Sequence, residues 1–184
     1  ERVVELGCGY GLAARALADY LGPGASYDGV DGRAEAVAWC EQAYENRIDF
    51  HFHHVAPADA VPLPDAAYDV VLLNGVLGTL EPPAVEHVLT EACRLLVPDG
   101  RLFATCHLLD DDARAALAAG TATVTFGASD GVSAPGEDGG RAYEEEWLLD
   151  RVAQAGFRKA GIRHGTWIPR PSGRAPEDVV VARA

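Results

Sequence analysis

The chain has 184 residues, of which 48% are hydrophobic and 23% charged, as is ordinary for a soluble protein with one core. Its formal net charge is −13, and it has no stripe of lysines and arginines. We therefore do not expect nucleic acid as a partner. No run of 18 apolar residues occurs, and we expect no membrane-spanning segment.

Strand and helix signals alternate along the chain, and this alternation predicts an α/β fold with a mainly parallel sheet. The predicted strands are residues 2–6, 26–30, 48–55, 68–74, 101–107, 157–168 and 178–183. Apolar periodicity predicts helices within residues 12–21, 37–44, 85–96 and 142–156. Only a loop rich in proline and glycine separates the last two strands, and a connection that short predicts an antiparallel hairpin.

Residues 108–142 break this regularity. They contain an acidic, alanine-rich piece, a short β-prone run and a glycine-rich loop, with few apolar anchors. We expect an insertion above the sheet, partly mobile, within a single domain that covers residues 1–184. The chain starts without methionine inside an apparent strand, so we also expect a segment before residue 1. Without such a segment over the site, the insertion or a second chain is the candidate lid.

Four cysteines are scattered through apolar stretches without a C-x-x-C pair, namely Cys8, Cys40, Cys93 and Cys106. That pattern predicts reduced, half-buried thiols and a cytoplasmic location, rather than a disulfide framework or a zinc site. Of His51, His53 and His54, the first two share one strand face, but no third ligand of suitable type lies nearby in sequence. We therefore expect a solvated strand edge there and no bound metal.

A glycine-rich turn follows the first strand in VVELGCGYG, residues 3–11. Asp31 follows Gly11 by 20 residues and ends the next strand, where a carboxylate can accept both ribose hydroxyls of an adenine nucleoside. GYGLAA also satisfies the G-x-G-x-x-A pattern of dinucleotide-binding proteins, so NAD stays open as a ligand. The carboxylates of Glu5, Asp28 and Asp31 disfavour a pyrophosphate and favour a sulfonium nucleoside with a free ammonium group, S-adenosylmethionine (SAM).

Four segments occur in an order that one family shares. VELGCGYG resembles the family's E/D-x-G-x-G-x-G loop, and YDGVD resembles its second strand. VPLPDAAYDVVLLNGVLGTL resembles the segment L-P-F-P-D-x-S-F-D-V-V and the residues after it, and ACRLLVPDGRLF resembles the stretch R-V-L-K-P-G-G-R-L. From Val3 to about His107 the chain thus resembles the class I, Rossmann-like SAM-dependent methyltransferases. The resemblance implies SAM as cofactor and a three-layer αβα sandwich of seven strands, order 3-2-1-4-5-7-6, with the last strand antiparallel.

The resemblance also implies the cofactor-binding residues, which are Glu5, Gly7, Cys8, Gly9, Gly11, Asp31, Gly32, Ala58, Asp59, Asn74 and Gly75. The glycine turn would line the methionyl and ribose parts, Glu5 would orient the amino end, and Asp31 would bind the ribose hydroxyls. Asn74 would lie under the methionine moiety. The family position for the adenine amino group falls on Pro57, which has no acceptor, so Asp59 is the substitute.

The sulfonium of SAM is its own leaving group, so the protein must align the reactants and, for a hydroxyl nucleophile, supply a base. His107 ends the fifth strand and is the first candidate base, because ligands bind at the carboxyl ends of the strands. A hydrogen-bonded structural histidine is the alternative there. His164 is the second candidate, and Trp167 near it either walls a substrate pocket or, as we favour, packs in the core.

We therefore expect a SAM-dependent methyltransferase (EC 2.1.1.-) that acts on a small molecule, with oxygen as the favoured acceptor atom. Asn74 is followed by GVL, so the [D/N]-P-P-[Y/F] signature of DNA and protein amide methylation is absent. An NAD(P)-dependent Rossmann oxidoreductase and a SAM-binding module without catalysis are the alternatives. Neither nucleic acid nor membrane is an expected partner, and a homodimer stays open.

Overall fold

The computed structural model describes residues 1–56, 58–171, 173 and 175–184. Its strands are β1 (Arg2–Leu6), β2 (Ser26–Asp31), β3 (Phe50–His54), β4 (Tyr68–Leu73), β5 (Leu96–Leu109), β6 (Ser133–Pro135), β7 (Arg141–Glu144), β8 (Lys159–Arg163) and β9 (Asp178–Arg183). Its α-helices are α1 (Leu12–Ala18), α2 (Ala34–Ala43), α3 (Pro82–Leu95), α4 (Asp111–Ala119) and α5 (Glu145–Gln154). Within the described ranges, no helix is long and apolar enough to cross a lipid bilayer.

Five strands form the parallel part of the sheet, in the order β3-β2-β1-β4-β5. β9 pairs with β5 in antiparallel register, and β8 pairs with β9 in turn. Since β8 and β9 are the predicted sixth and seventh strands, the predicted order 3-2-1-4-5-7-6 with an antiparallel last strand is confirmed. The strands β6 and β7 form a separate hairpin, and β7 runs parallel to the last residues of β5 from His107 to Leu109.

Hydrophobic clusters cover both faces of this sheet. On one face the cluster includes Ala14 of α1 and residues of α2, and on the other it includes Leu89 of α3 and Leu148 of α5. Successive residues of a strand point to opposite faces, which is why Val3 belongs to the first cluster and Val4 to the second. The chain is therefore the predicted three-layer αβα sandwich, with parallel strands that end at one edge.

Residues 108–142 differ from the sequence prediction in two respects. β5 continues to Leu109, and β7 occupies residues 141–144, so the start of the predicted fourth helix is strand instead. A third hydrophobic cluster fastens the segment to the sheet through Leu109, Ala113, Ala116, Ala134, Ala142, Trp167 and Ile168. The prediction of few apolar anchors is wrong, because small alanine side chains find large apolar partners in the loop after β8.

Candidate functional site

The turn between β1 and α1 keeps its shape through its own backbone. Gly7, Gly9 and Gly11 adopt positive φ angles of 86°, 54° and 72°, a region that is costly for residues with a Cβ atom. The N–H groups of Gly7 and Cys8 donate to the Val30 carbonyl at 2.7 and 3.0 Å, and the Gly11 N–H donates to the Cys8 carbonyl at 2.9 Å. The turn is thereby fixed against the end of β2.

Asp31, the last residue of β2, supports the same turn with its carboxylate. Its Oδ2 accepts the Gly9 N–H at 2.7 Å, and its Oδ1 accepts the Arg33 backbone N–H at 2.9 Å and Nε–H at 3.2 Å. Burial raises the pKa of Asp31, but these hydrogen bonds and the guanidinium charge lower it further, so the pKa lies below its ordinary value. Asp31, which is 7% exposed, is therefore an ionised acceptor beside the turn.

Glu5, in β1, carries a carboxyl group of different character. It is 2% exposed and accepts a hydrogen bond from the Tyr27 hydroxyl at 2.5 Å. Burial raises the pKa of Glu5 to about 7; the hydrogen bond from Tyr27 opposes this rise, and the charge of Asp31 adds to it. The group therefore exchanges its proton near neutral pH, and a bound cation would favour its ionised form.

Asp28 does not belong to this site, contrary to the sequence argument. Its register partner in β1 is Val4, which lies in the hydrophobic cluster under α3, on the face opposite Glu5. The Asp28 carboxylate accepts the Tyr68 hydroxyl at 3.0 Å and lies 2.8 Å from His53 Nε2. Three carboxylates therefore do not crowd the glycine turn.

A cavity of about 670 Å³ opens where β1, β2 and β4 end, and we call it the first cavity. Its volume lies in the range of about 300–1,000 Å³ that is typical of small-molecule sites. Most of the predicted cofactor residues line it, namely Glu5, Gly7, Cys8, Gly9, Asp31, Gly32, Asp59, Asn74 and Gly75. The structure thus brings together residues that come from three strand ends and one loop.

Two of the predicted cofactor residues lie outside this lining. A Cβ atom on Gly11 would lie 3.1 Å from Cys40 Sγ and 3.2 Å from the Tyr44 ring, so this glycine makes room for α2 and its C-terminal residue. Ala58 is exposed in the loop after β3. Pro57, the family position for the adenine contact, lies outside the described residues.

Several residues of the first cavity carried no usable sequence signal. Arg33 lies over the ring of Tyr10, 5.4 Å from its centroid, and both line the cavity. Glu91 and His87 come from α3, where Glu91 accepts a backbone N–H from the loop before β4 at 2.8 Å and His87 Nε2 lies 3.3 Å from the Asp59 carbonyl. The period of α3 marks them as polar positions but does not show which loop they meet.

A second cavity, of about 350 Å³, adjoins the first at Gly75 and Thr79, which line both. His107, the first predicted base, lines this second cavity. Its ring centroid lies 5.3 Å from that of Phe126 and 5.2 Å from that of Trp167, which it meets edge-on. The two aromatic side chains restrict the orientation of the imidazole.

Asp178, the first residue of β9, anchors the wall behind this histidine. The side chain is fully buried, and its carboxylate accepts the Trp167 indole N–H at 2.7 Å, the Gly165 N–H at 2.7 Å and the Leu108 N–H at 2.9 Å. Trp167 itself is 2% exposed and packs in the third hydrophobic cluster, in the core position that we favoured for it. One carboxylate therefore joins β5, β9 and the loop that carries the indole.

The structure places His164, the second predicted base, outside the lining of both cavities. Its Nδ1 lies 3.6 Å from Asp178 Oδ1, and its Nε2 lies 4.0 Å from Glu145 Oε2. With Asp110 and Glu145 it forms a group whose ligand atoms lie within 4.8 Å of one another. The two predicted bases are therefore not brought to the same cavity.

The polar groups of the first cavity fit SAM. The N–H groups of Gly7, Cys8, Gly9 and Gly11 already donate within the chain, so these four are not available to a pyrophosphate. The carboxyl groups of Glu5 and Asp31 line the cavity instead, and they accept hydrogen bonds from ammonium and hydroxyl donors.

Comparisons with known proteins agree with this geometry. A family model described as a methyltransferase domain matches residues 3–100. A fatty-acid O-methyltransferase of Mycolicibacterium smegmatis is 33% identical over 105 residues, which are 57% of this chain and 36% of that protein. An arsenite methyltransferase of Aquipseudomonas alcaligenes is 33% identical over 110 residues, with 55% of this chain and 31% of that protein covered. The chain thus spans about a third of the length of these curated relatives.

Solved structures show the same fold. A SAM-dependent methyltransferase from Mesorhizobium loti aligns with 100% of this chain and 90% of its own, at a TM-score of 0.68 and 16% sequence identity. The family model covers more than half of the chain, so the resemblance found in the sequence and the expectation of SAM as cofactor are confirmed. The chain belongs to the class I, Rossmann-like family of SAM-dependent methyltransferases.

Proposed function

We propose that this chain transfers a methyl group from SAM to an oxygen atom of a small molecule, with His107 as the general base. The observation that supports this proposal most directly is the junction of the two cavities, which share Gly75 and Thr79 while His107 lines the second. A molecule in the second cavity would lie against one in the first, beside an imidazole. Such an arrangement supports direct transfer between two bound molecules.

The residues of the first cavity would hold the cofactor according to donor type. Asp31, ionised, suits the ribose hydroxyls, and Glu5 suits the ammonium group of the amino end. Asp59 lies exposed at the rim, where it would meet the adenine amino group, and Asn74 follows β4 beside the junction of the cavities. When bound, SAM supplies an electrophilic methyl group on a sulfonium that departs as a neutral thioether.

His107 would accept the proton of the acceptor hydroxyl. A hydroxyl is a weak nucleophile at neutral pH, and a positioned base contributes about 10²–10⁴-fold to the rate. The aromatic contacts with Phe126 and Trp167 hold the imidazole at the wall of the second cavity. A base with this placement favours an oxygen acceptor over a nucleophile that needs no base.

The relatives support the reaction class more than the acceptor. One is named for fatty acids and the other for arsenite, so their names share methyl transfer to small acceptors but no common acceptor. Residues 124–126 and 137–138 of the insertion line the second cavity, which supports the predicted role of residues 108–142 as a cover. The cytoplasmic location and the homodimer stay predictions.

The proposal is tested first by binding and then by turnover. Calorimetric titration with SAM, S-adenosylhomocysteine and NAD should show binding of the first two alone. Incubation with methyl-labelled SAM and a panel of hydroxylated small molecules should then give an O-methylated product, identified by NMR. Binding of NAD would contradict the cofactor assignment, and SAM binding without product from any acceptor would indicate a binding module without catalysis.

His107→Gln tests the role of the base. We expect kcat to fall roughly 100-fold or more, because the proton acceptor is lost, while the affinity for S-adenosylhomocysteine stays unchanged. His51→Gln is the matched control, since His51 is exposed on β3 and lines neither cavity. An unchanged kcat in His107→Gln would remove this residue from the proposed chemistry.

A further inference from the structure

The second cavity has a charge that the proposed methyl transfer does not explain. Among the described residues, three carboxylates line it, from Glu137, Asp138 and Glu177, against a single guanidinium, that of Arg141. The acids come from two separate places in the chain, the turn between β6 and β7 and the residue before β9. Their convergence on one cavity is therefore a product of the fold, not of a local acidic run.

The guanidinium does not balance these carboxylates. Arg141 forms an ion pair with Glu81, which lies outside the second cavity, and its Nη1 donates to Ser133 Oγ at 2.9 Å. Its charge is thus engaged by a fourth carboxylate. An anionic acceptor group would have to compete with Glu81 for it.

The three cavity carboxylates keep acceptor capacity. Among the residues that the structure describes, none of the three takes part in an ion pair. Asp138 Oδ1 accepts the Gly140 N–H at 3.0 Å, which leaves its other oxygen available. A cation bound beside these side chains would therefore meet carboxylate oxygens that no cation among the described residues engages.

The remaining wall of the cavity is aromatic and apolar. The rings of Phe126 and His107 lie 5.3 Å apart, and Val124 adds an aliphatic surface. The cavity volume of about 350 Å³ suits a molecule of modest size. The lining therefore combines an apolar side, a base and an anionic side.

We propose that the acceptor is a small hydroxylated amine whose ammonium group is held by Glu137, Asp138 and Glu177 while its hydroxyl faces His107. This inference rests on the proposed function, since it names the acceptor class of the same site. The ammonium would lie among carboxylates that form no ion pair within the described residues, and the carbon skeleton would pack against Phe126. The net charge of −13 strengthens the attraction for such a cation over the whole surface.

The test uses the protein saturated with S-adenosylhomocysteine, so that binding is measured without turnover. Each of two sets of probes contains an amine, a neutral analogue and an acid of similar size: tyramine, 4-ethylphenol and 3-(4-hydroxyphenyl)propanoate, and glucosamine, glucose and glucuronate. We expect the amine of at least one set to bind about tenfold or more tightly than its neutral partner, and the acid to bind weakest. Three results would overturn the inference. They are a neutral probe that binds as tightly as the amine in each set, an acid that binds more tightly than the amine, or no binding of either amine.

Variants locate the preference. Glu137→Gln/Asp138→Asn and Glu177→Gln should each reduce the preference for the amine several-fold and leave the affinity of the neutral probe unchanged. Glu41→Gln/Glu45→Gln makes the same change of charge at exposed positions outside both cavities and should keep the preference. An amine preference that survives in all variants would place the cation elsewhere and overturn the inference. Binding of S-adenosylhomocysteine is verified before any probe is added. If S-adenosylhomocysteine itself does not bind, that result counts against the proposed function and not against the amine preference.

Discussion

The two adjoining cavities are built in different ways. The first is built around the glycine turn after β1 and the end of β2, and its shape there depends on backbone hydrogen bonds and on a carboxylate that binds a backbone N–H. The second takes its wall from residues near 75–79, 124–126 and 137–141 together with Glu177, and its character depends on side chains. A site fixed by backbone keeps one ligand, whereas a site fixed by side chains on loops can change its ligand while the fold stays the same.

The largest expected effect is a loss of stability when one methyl group is added at Gly7, in the turn that lines the first cavity. In Gly7→Ala the new Cβ would lie 2.3 Å from Val76 Cγ2 at a φ of 86°. Positive φ costs about 1–2 kcal/mol and forced packing about 1–3 kcal/mol, so we expect the free energy of unfolding in urea to fall by about 2–5 kcal/mol. Gly24→Ala is the control, because its φ is 82° and no atom lies within 4 Å of the new Cβ. Equal losses in both variants would show that Val76 gives way freely.

A second prediction concerns the buried acid of the first cavity. The pKa of Glu5 is raised from 4.5 to about 7 by burial, so between these values the folded chain holds a proton that the unfolded chain releases. Stability should therefore fall as pH rises from about 4.5 to about 7, by an amount on the order of 3 kcal/mol, and then level off with respect to this group. Urea unfolding across this range measures the slope, which Glu5→Gln should flatten. Glu137→Gln, an exposed acid of the second cavity, should leave the slope as in the parent chain.

The third and smallest prediction separates two carboxylates of one strand. Asp31→Ala should weaken binding of S-adenosylhomocysteine more than tenfold, because it removes a charged acceptor and the partner of the Gly9 N–H. Asp28→Asn alters a carboxylate on the opposite face of the sheet and should leave the affinity of the folded protein nearly unchanged. Calorimetry on both variants checks the difference, and near-normal affinity in Asp31→Ala would refute the ribose assignment.

Most of the fold and most residues of the first cavity could be predicted from the sequence, because the patterns that indicate them are local. Strand and helix periods, the glycine turn and the acid at the end of β2 are each contained in a short segment. The alternation of side chains along β2 also explains the wrong placement of Asp28. Asp28 and Asp31 are three residues apart in one strand, so their side chains point to opposite faces of the sheet. That rule was available from the sequence and shows why only one of the two lines the first cavity.

The second cavity was not predictable beyond His107, for a physical reason. Glu137 and Glu177 lie in loops without a period, and their approach to one another depends on the tertiary path of the chain. The alanines of the insertion likewise gave no sign of their partners Trp167 and Ile168, which follow β8. From the sequence, His107 was the first candidate base and His164 the second, and of these two only His107 lines one of the two cavities.

The carboxylate of Asp178 has a consequence for attempts to alter the acceptor. It ties the Trp167 indole, and through it the support of His107, to the sheet, whereas the loops that carry Phe126 and Glu137 make no contact with it among the hydrogen bonds described. The wall that holds the base is therefore a fixed part of the scaffold, and the acidic wall that carries Glu137 and Asp138 is exchangeable. Redesign of substrate choice should vary residues 137–138 and spare Phe126, which packs against His107 and Trp167, and the residues bonded to Asp178.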